Sequence, residues 1–135
     1  MSKTSDTANG VVSKLHDSGY PEAVLNYTPA LLMADGTDYA LTVTPTAYAA
    51  AEERNRVSRR VKIGITLIAK VNDPEEFETY NDKIEAIVEL FYLKALPDKA
   101  GINCDGFEVN PMGSDLRYRE TGQYLAHIEL EFITI

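Results

Sequence analysis

Residues 61–71 constrain the fold more strongly than any other part of this sequence. In the run VKIGITLIAKV, every second residue from Val61 to Val71 is apolar. Successive side chains of a β-strand point to opposite faces, so this alternation predicts a strand with one buried face. The rest of the chain must supply apolar groups that cover it.

The sequence directly after this strand predicts a helix that can do so. Asp73 is placed as an N-cap, Pro74 at the first helical position and Glu76 to complete a capping box. Apolar residues then recur at spacings of three and four, which predicts a helix that runs to about Leu96. The expected shared core is Ile63, Ile65, Leu67, Ile84, Ile87, Val88, Phe91, Ile128 and Leu130.

Shorter patterns precede the strand at 61–71. Helical spacing of apolar residues predicts a helix near residues 6–18. Residues 21–34 are expected to be extended, Asp35–Gly36 is a two-residue turn signal, and residues 39–44 predict a strand that ends at Pro45. Residues 46–60 have no sustained apolar face, which predicts a long exposed arm.

The second half of the chain favours strands. Residues 102–109 predict one strand, and residues 110–114 are expected to end it. Residues 116–119 and 124–135 are interpreted as the two extended arms of a hairpin around Thr121–Gly122. The later arm alternates, so that His127, Glu129 and Glu131 share the face opposite to its apolar residues.

This order of elements predicts an α+β fold. Hairpins dominate, so the sheet is expected to be mainly antiparallel, with two helices packed on one face and a long arm between two strands. A length of 135 residues fits a single domain over residues 1–135, in which 46–60 form the exposed arm.

Composition excludes several function classes. A formal charge of -8 argues against a protein whose whole surface binds nucleic acid or an anionic membrane. The single cysteine, Cys104, excludes an intramolecular disulfide and a cysteine-rich zinc site. No run approaches the roughly 18 consecutive apolar residues of a spanning helix, so we expect a soluble, cytosolic chain without membrane contact.

No pattern in the sequence indicates a catalytic site. The glycines stand singly, which leaves nucleotide binding unsupported. His127, Glu129 and Glu131 could meet a metal ion in principle, but a solvated strand face is the simpler interpretation. We therefore predict no catalytic, cofactor-binding or metal-binding residues, and no cofactor.

A basic cluster is the more informative feature. Arg54, Arg56, Arg59, Arg60 and Lys62 lie within nine positions that contain no acidic residue. Such a run can be a solvated loop, a phosphate contact or an arm that docks on an acidic surface. The acidic helix from Asp73 to Glu89 offers such a surface on an identical neighbour. Head-to-tail contacts of this kind close into a ring, and the candidates for partner docking are Arg54, Arg56, Arg59 and Arg60.

The chain resembles the tail terminator, or tail-completion, proteins of long-tailed bacteriophages. The resemblance covers residues 6–135 and rests on the order of elements, including VKIGITLIAKV, the helix DPEEFETYNDKIEAIVEL and the final LAHIELEFITI. It implies a non-enzymatic virion protein that forms a hexameric ring, caps the tail tube and joins it to the head. Its implied partners are the tail tube protein and head connector proteins, with transient passage of DNA, and assembly takes place in the host cytoplasm.

Three alternatives remain at this point. The chain could be another neck or tail component of a phage. It could be a small cytosolic α+β enzyme or ligand-binding domain, for which a closed pocket of His127, Glu129, Glu131 and Tyr118 would be the discriminating feature. A DNA-binding regulator would need the arm as its only cationic surface, and its binding would weaken steeply with salt.

Overall fold

The computed structural model describes residues 2–27, 38–50, 58–97 and 101–134. The elements along these ranges are α1 (Lys3–Asp17), β1 (Val24–Leu25), β2 (Tyr39–Ala50), β3 (Arg59–Lys70), α2 (Glu76–Phe91), β4 (Ile102–Met112), α3 (Asp115–Thr121) and β5 (Gln123–Thr134). The predicted turn at Asp35–Gly36 lies outside the described residues.

The five strands form one sheet in the order β1-β2-β3-β5-β4. All pairs are antiparallel except the short parallel pair of β1 and β2. The α+β class with a mainly antiparallel sheet is therefore confirmed. Among the described residues, no helix has the length and apolar character that crossing a membrane requires.

One face of the sheet carries the core. The apolar alternation of β3 and β5 turns Ile65 and Ile128 toward α1 and α2, which contribute Leu15 and Phe91 among others. This arrangement confirms the two helices on one face. All nine predicted core residues are buried in the same cluster: Ile63, Ile65, Leu67, Ile84, Ile87, Val88, Phe91, Ile128 and Leu130.

The prediction that β2 ends at Pro45 is wrong. The strand continues to Ala50, and a register shift between Pro45 and Ala47 leaves Thr46 as an extra residue. Such a bulge is one of the few places where a strand tolerates proline. The predicted arm at 46–60 is corrected with it, because residues 47–50 pair with 59–62 of β3 and residues 51–57 lie outside the described ranges.

Both ends of α2 differ from the predicted helix. Asp73 accepts a hydrogen bond from the amide of Glu75, and Glu76 accepts one from Asn72, so these side chains close a turn ahead of the helix. At the other end, Leu93 has a φ of 62°. Its amide donates to Cys104 at 2.9 Å. The backbone after Phe91 therefore pairs with the edge of β4, and the helix does not reach Leu96.

The region before β5 needs the largest correction. Residues 110–114 were expected to end a strand, but β4 continues to Met112 through a register shift after Val109. Residues 115–121 form the helix α3 and not an extended arm. Ser114 accepts a hydrogen bond from the amide of Arg117, and Gly122 ends the helix at a φ of 70°. Local capping thus overrides the strand-like composition.

Candidate functional site

The face of the sheet opposite to α1 and α2 carries a polar cleft. Register pairs Lys62 with Glu131, Gly64 with Glu129 and Thr66 with His127 across β3 and β5. Because every second residue of these strands is buried against the helices, the pairs between them share the other face. The cleft has a volume of about 350 Å³, and it is lined by Lys62, His127, Glu129 and Glu131 together with residues 106–108 and 110 of β4.

His127 lies at the centre of a network of hydrogen-bonded side chains in this cleft. Its Nδ1 lies 3.0 Å from the hydroxyl of Thr66. Its Nε2 lies 3.1 Å from Oε2 of Glu129. A carboxylate only accepts, so Nε2 donates to Glu129, and in the neutral imidazole this leaves Nδ1 to accept from the hydroxyl of Thr66. Thr46 donates to the other oxygen of Glu129 at 2.8 Å.

Gly64 leaves space for this row of hydrogen-bonded side chains. A Cβ atom at position 64 would lie 2.6 Å from Cε1 of His127. Contacts between carbon atoms are normally about 3.5–4.0 Å long, so a side chain there would displace the imidazole. Gly64 is a single glycine within the otherwise apolar alternation of this strand. Such a glycine often marks a close approach of another group.

The order threonine, histidine, glutamate has the connectivity of a nucleophilic triad, but Thr66 is only 3% exposed. A substrate cannot reach its hydroxyl in this conformation. Cys104 is also buried, its Sγ donates to the carbonyl of Gly106, and burial raises the pKa of its thiol to about 11. Neither side chain is therefore placed as a reactive nucleophile.

The structure brings together only part of the pocket expected for an enzyme. His127, Glu129 and Glu131 line one open cleft. Tyr118 lies on α3, where its ring contacts Phe77 at a centroid distance of 5.4 Å. Within the described ranges, no group of three or more His, Cys, Asp or Glu side chains is arranged to hold a metal ion.

The predicted docking arginines have different environments. Arg60 lies in β3, where its Nη1 is 3.1 Å from Asp105 and 3.1 Å from Glu131. These ion pairs link β3, β4 and β5, and the Arg60 side chain is only 23% exposed. Arg59 begins β3 and donates to the carbonyl of Ser58. Arg54 and Arg56 lie outside the described residues.

One exposed apolar side chain lies on the outer part of the β2–β3 hairpin. Beyond Thr46, β2 pairs with β3 on one side, and no strand among the described residues pairs with its other side. Tyr48 is 52% exposed there. Because Tyr48 lies opposite the buried Val61, it belongs to the face of the sheet that carries the helices.

An uncovered apolar surface lies in a groove between α2 and β4 at the other edge of the sheet. Its volume is about 370 Å³, and its apolar floor includes Val88, Phe107 and Met112. Phe107 is 46% exposed and Met112 is 39% exposed. Glu85 and Glu89 of α2 also line this groove. We call it the α2–β4 groove.

Comparison with known proteins does not assign this chain to a family. No protein-family model matches the chain, and the comparison with curated proteins gives no match. The functional conclusion therefore depends on the arrangement of the hairpin, the cleft and the α2–β4 groove.

Proposed function

We propose that this chain is a non-enzymatic structural protein of a phage virion, a tail terminator. In this role it forms a hexameric ring that caps the tail tube and joins it to the head. The proposal starts from the resemblance to tail terminator proteins. It also includes the partners that the resemblance implies, which are the tail tube protein, head connector proteins and DNA in transit.

The observation that carries the proposal is the pair of unlike surfaces at the two edges of the sheet. One edge carries the exposed Tyr48 on a hairpin, and the other carries the α2–β4 groove with Phe107 and Met112. Two different surfaces on one chain favour head-to-tail contacts, and repeated rotation closes such contacts into a ring. Contiguous exposed apolar patches, such as the floor of the α2–β4 groove, are typical of surfaces that bind other proteins.

Assembly on tail tubes tests the proposal. Native mass spectrometry of the wild-type chain is expected to give a closed ring, because a heterologous contact repeats until the ring closes, and the resemblance implies about six copies in it. Tube protein that polymerises in its presence is expected to give tubes with capped ends in electron micrographs. Tubes polymerised with bovine serum albumin serve as the control.

The result that would refute the proposal is equally direct. A chain that stays monomeric at micromolar concentration and leaves the ends and lengths of the tubes unchanged is not a terminator. A ring that does not bind tube ends would favour another neck or tail component instead.

A ligand-binding domain is the second candidate, because His127, Glu129 and Glu131 do line a common cleft. Such a domain would bind a small polar molecule between Lys62 and the carboxylates. A screen of metabolites by thermal shift would test it, with His127→Ala as the matched variant. A compound that stabilises the wild type and not the variant would support this candidate over the terminator.

A further inference from the structure

The outer edge of β4 is open beside the α2–β4 groove. The start of β4 is covered, because Leu93 donates to Cys104 and Cys104 donates to Lys94. Along residues 106–109, β5 pairs with one side of β4, and no strand among the described residues pairs with the other. Unpaired edges of this kind are templates for pairing with another chain. A register shift follows Val109, so this edge suits a short segment.

A strand added to this edge would place every second side chain in the groove. Phe107 pairs with the core residue Leu130, and Val109 pairs with the core residue Ile128. Both therefore lie on the face of the sheet that carries the helices, and both line the groove. Side chains directly opposite each other on paired strands have Cβ atoms about 4.5–5.5 Å apart. Apolar side chains at alternate positions of the added strand would thus contact the floor of the groove.

The charge at the border of the groove selects the kind of segment. Glu85 and Glu89 are exposed and line the groove, and no basic residue is among the described residues that line it. Neither carboxylate forms an ion pair within the described ranges. Lys94 donates to the main-chain carbonyl of Glu89 instead. The two glutamates therefore favour a segment that carries Lys or Arg beside its apolar side chains.

We infer that the α2–β4 groove binds a short, extended and basic segment of a different protein. The chain itself has a formal charge of -8, so a basic segment complements the acidic border better than a second copy does. The segment pairs with residues 106–109, places alternate apolar side chains on the floor of the groove and directs Lys or Arg toward Glu85 and Glu89. The inference goes beyond the proposed function, because it concerns a contact with a different protein and does not depend on ring closure.

Binding of a designed peptide tests the inference. In the fluorescent peptide KTITITK, both isoleucines and both lysines lie on one face when the peptide is extended. Titration with the full chain, followed by fluorescence anisotropy, is expected to show saturable binding that weakens as salt is added. The peptide KTTIITK has the same composition but places its isoleucines on opposite faces, and ETITITE reverses the charge. Both are expected to bind at least about tenfold more weakly.

Charge reversal in the groove provides the matched experiment. Glu85→Lys with Glu89→Lys is expected to weaken the binding of KTITITK at least about tenfold and to strengthen the binding of ETITITE. Asp17→Lys with Glu120→Lys changes the net charge equally at other exposed positions and is expected to leave the binding of both peptides unchanged. Equal urea midpoints of the two double variants show that both are folded.

Amide hydrogen exchange locates the bound peptide. Exchange of main-chain amides within residues 106–109 is expected to slow when KTITITK binds, because amides at the open edge then donate to the peptide. The peptide KTTIITK is expected to leave their exchange unchanged.

The outcomes separate this inference from the proposed function. If KTITITK binds no better than the two control peptides, or binds without protecting residues 106–109, the inference is wrong. If wild-type rings form and exclude the peptide, the groove is a contact between copies, which overturns the inference while the terminator role stands. A wild type that stays monomeric and leaves tail tubes unchanged refutes the proposed function, whereas selective binding of KTITITK would still support the inference.

Discussion

Replacing Gly64 by alanine tests whether the His127 network stabilises the sheet. A Cβ atom at position 64 would lie 2.6 Å from Cε1 and 3.1 Å from Nε2 of His127. To restore normal contact distances the imidazole must move by about 1 Å. A movement of that size breaks its hydrogen bonds to Thr66 and Glu129, which are 3.0 and 3.1 Å long.

The expected loss of stability follows from those two bonds. Each contributes about 1 kcal/mol, and the buried hydroxyl of Thr66 costs about 1–3 kcal/mol if it loses Nδ1 of His127 and finds no other acceptor. Against this, alanine is favoured over glycine within a strand by about 0.5–1 kcal/mol. We therefore expect Gly64→Ala to lower the free energy of unfolding by about 1–4 kcal/mol, with the upper part of this range reached only if the Thr66 hydroxyl finds no new partner.

Urea denaturation measures the change as a shift of the midpoint at constant slope. Gly106→Ala is the matched control, because the nearest atom to a Cβ there is Oε2 of Glu131 at 3.6 Å, an ordinary contact. In a His127→Ala background the new Cβ still lies 3.2 Å from Cγ2 of Thr46, so Gly64→Ala is expected to cost clearly less there than in the wild type but need not be neutral. If Gly64→Ala costs the same with and without the imidazole, the steric argument is wrong.

Three further predictions concern the core and its buried groups. Phe91→Ala should lower the free energy of unfolding by about 3–5 kcal/mol, because Phe91 is buried against Phe132. Thermal or urea denaturation measures this change. A loss under about 1 kcal/mol would contradict the packing. Cys104, whose pKa burial raises to about 11, should react with a thiol reagent at pH 8 far more slowly in the folded chain than in urea; equal rates would contradict its burial. Burial also raises the pKa of Tyr124 from 10.0 to about 12, so its contribution to stability is complete below pH 10 and is lost as the pH rises toward 12. Denaturation from pH 9 to 12 should show a smaller loss of stability for Tyr124→Phe than for the wild type, and identical losses would contradict this.

Long periodic segments were predictable from the sequence. The alternation in β3 and β5 and the spacing in α2 each repeat often enough to identify both the element and its buried face. For the same reason the sequence correctly placed His127, Glu129 and Glu131 on a common face. Such patterns are local, and the core they imply was correct.

Element ends were less predictable, because residues distant in sequence determine them. Pro45 ends a strand by its own chemistry, but the bulge at Thr46 lets pairing with β3 continue. The residues after Phe91 retain apolar spacing, yet their amides bond to β4. Helix α3 has only seven residues, too few to show a helical period.

The contacts within the cleft could not be derived from the sequence either. Thr66 and His127 are 61 residues apart, and Thr46 and Glu129 are 83 apart. Their meeting depends on the register of three strands, which no local pattern encodes. The one local signal was Gly64, a glycine within an otherwise apolar strand.

The position of β5 between β3 and β4 has a consequence for the synthesis of the chain. Arg59 of β3 pairs with Thr134 of β5, 75 residues later, so β3 emerges from the ribosome long before its inner partner. Contacts so distant in sequence form slowly and leave apolar strand surface exposed meanwhile. Within the described sheet, strand β4 also pairs with β5 alone. A nascent chain that lacks β5 therefore has no strand to hold β4 in the sheet, and the α2–β4 groove is completed only after β5 has been made.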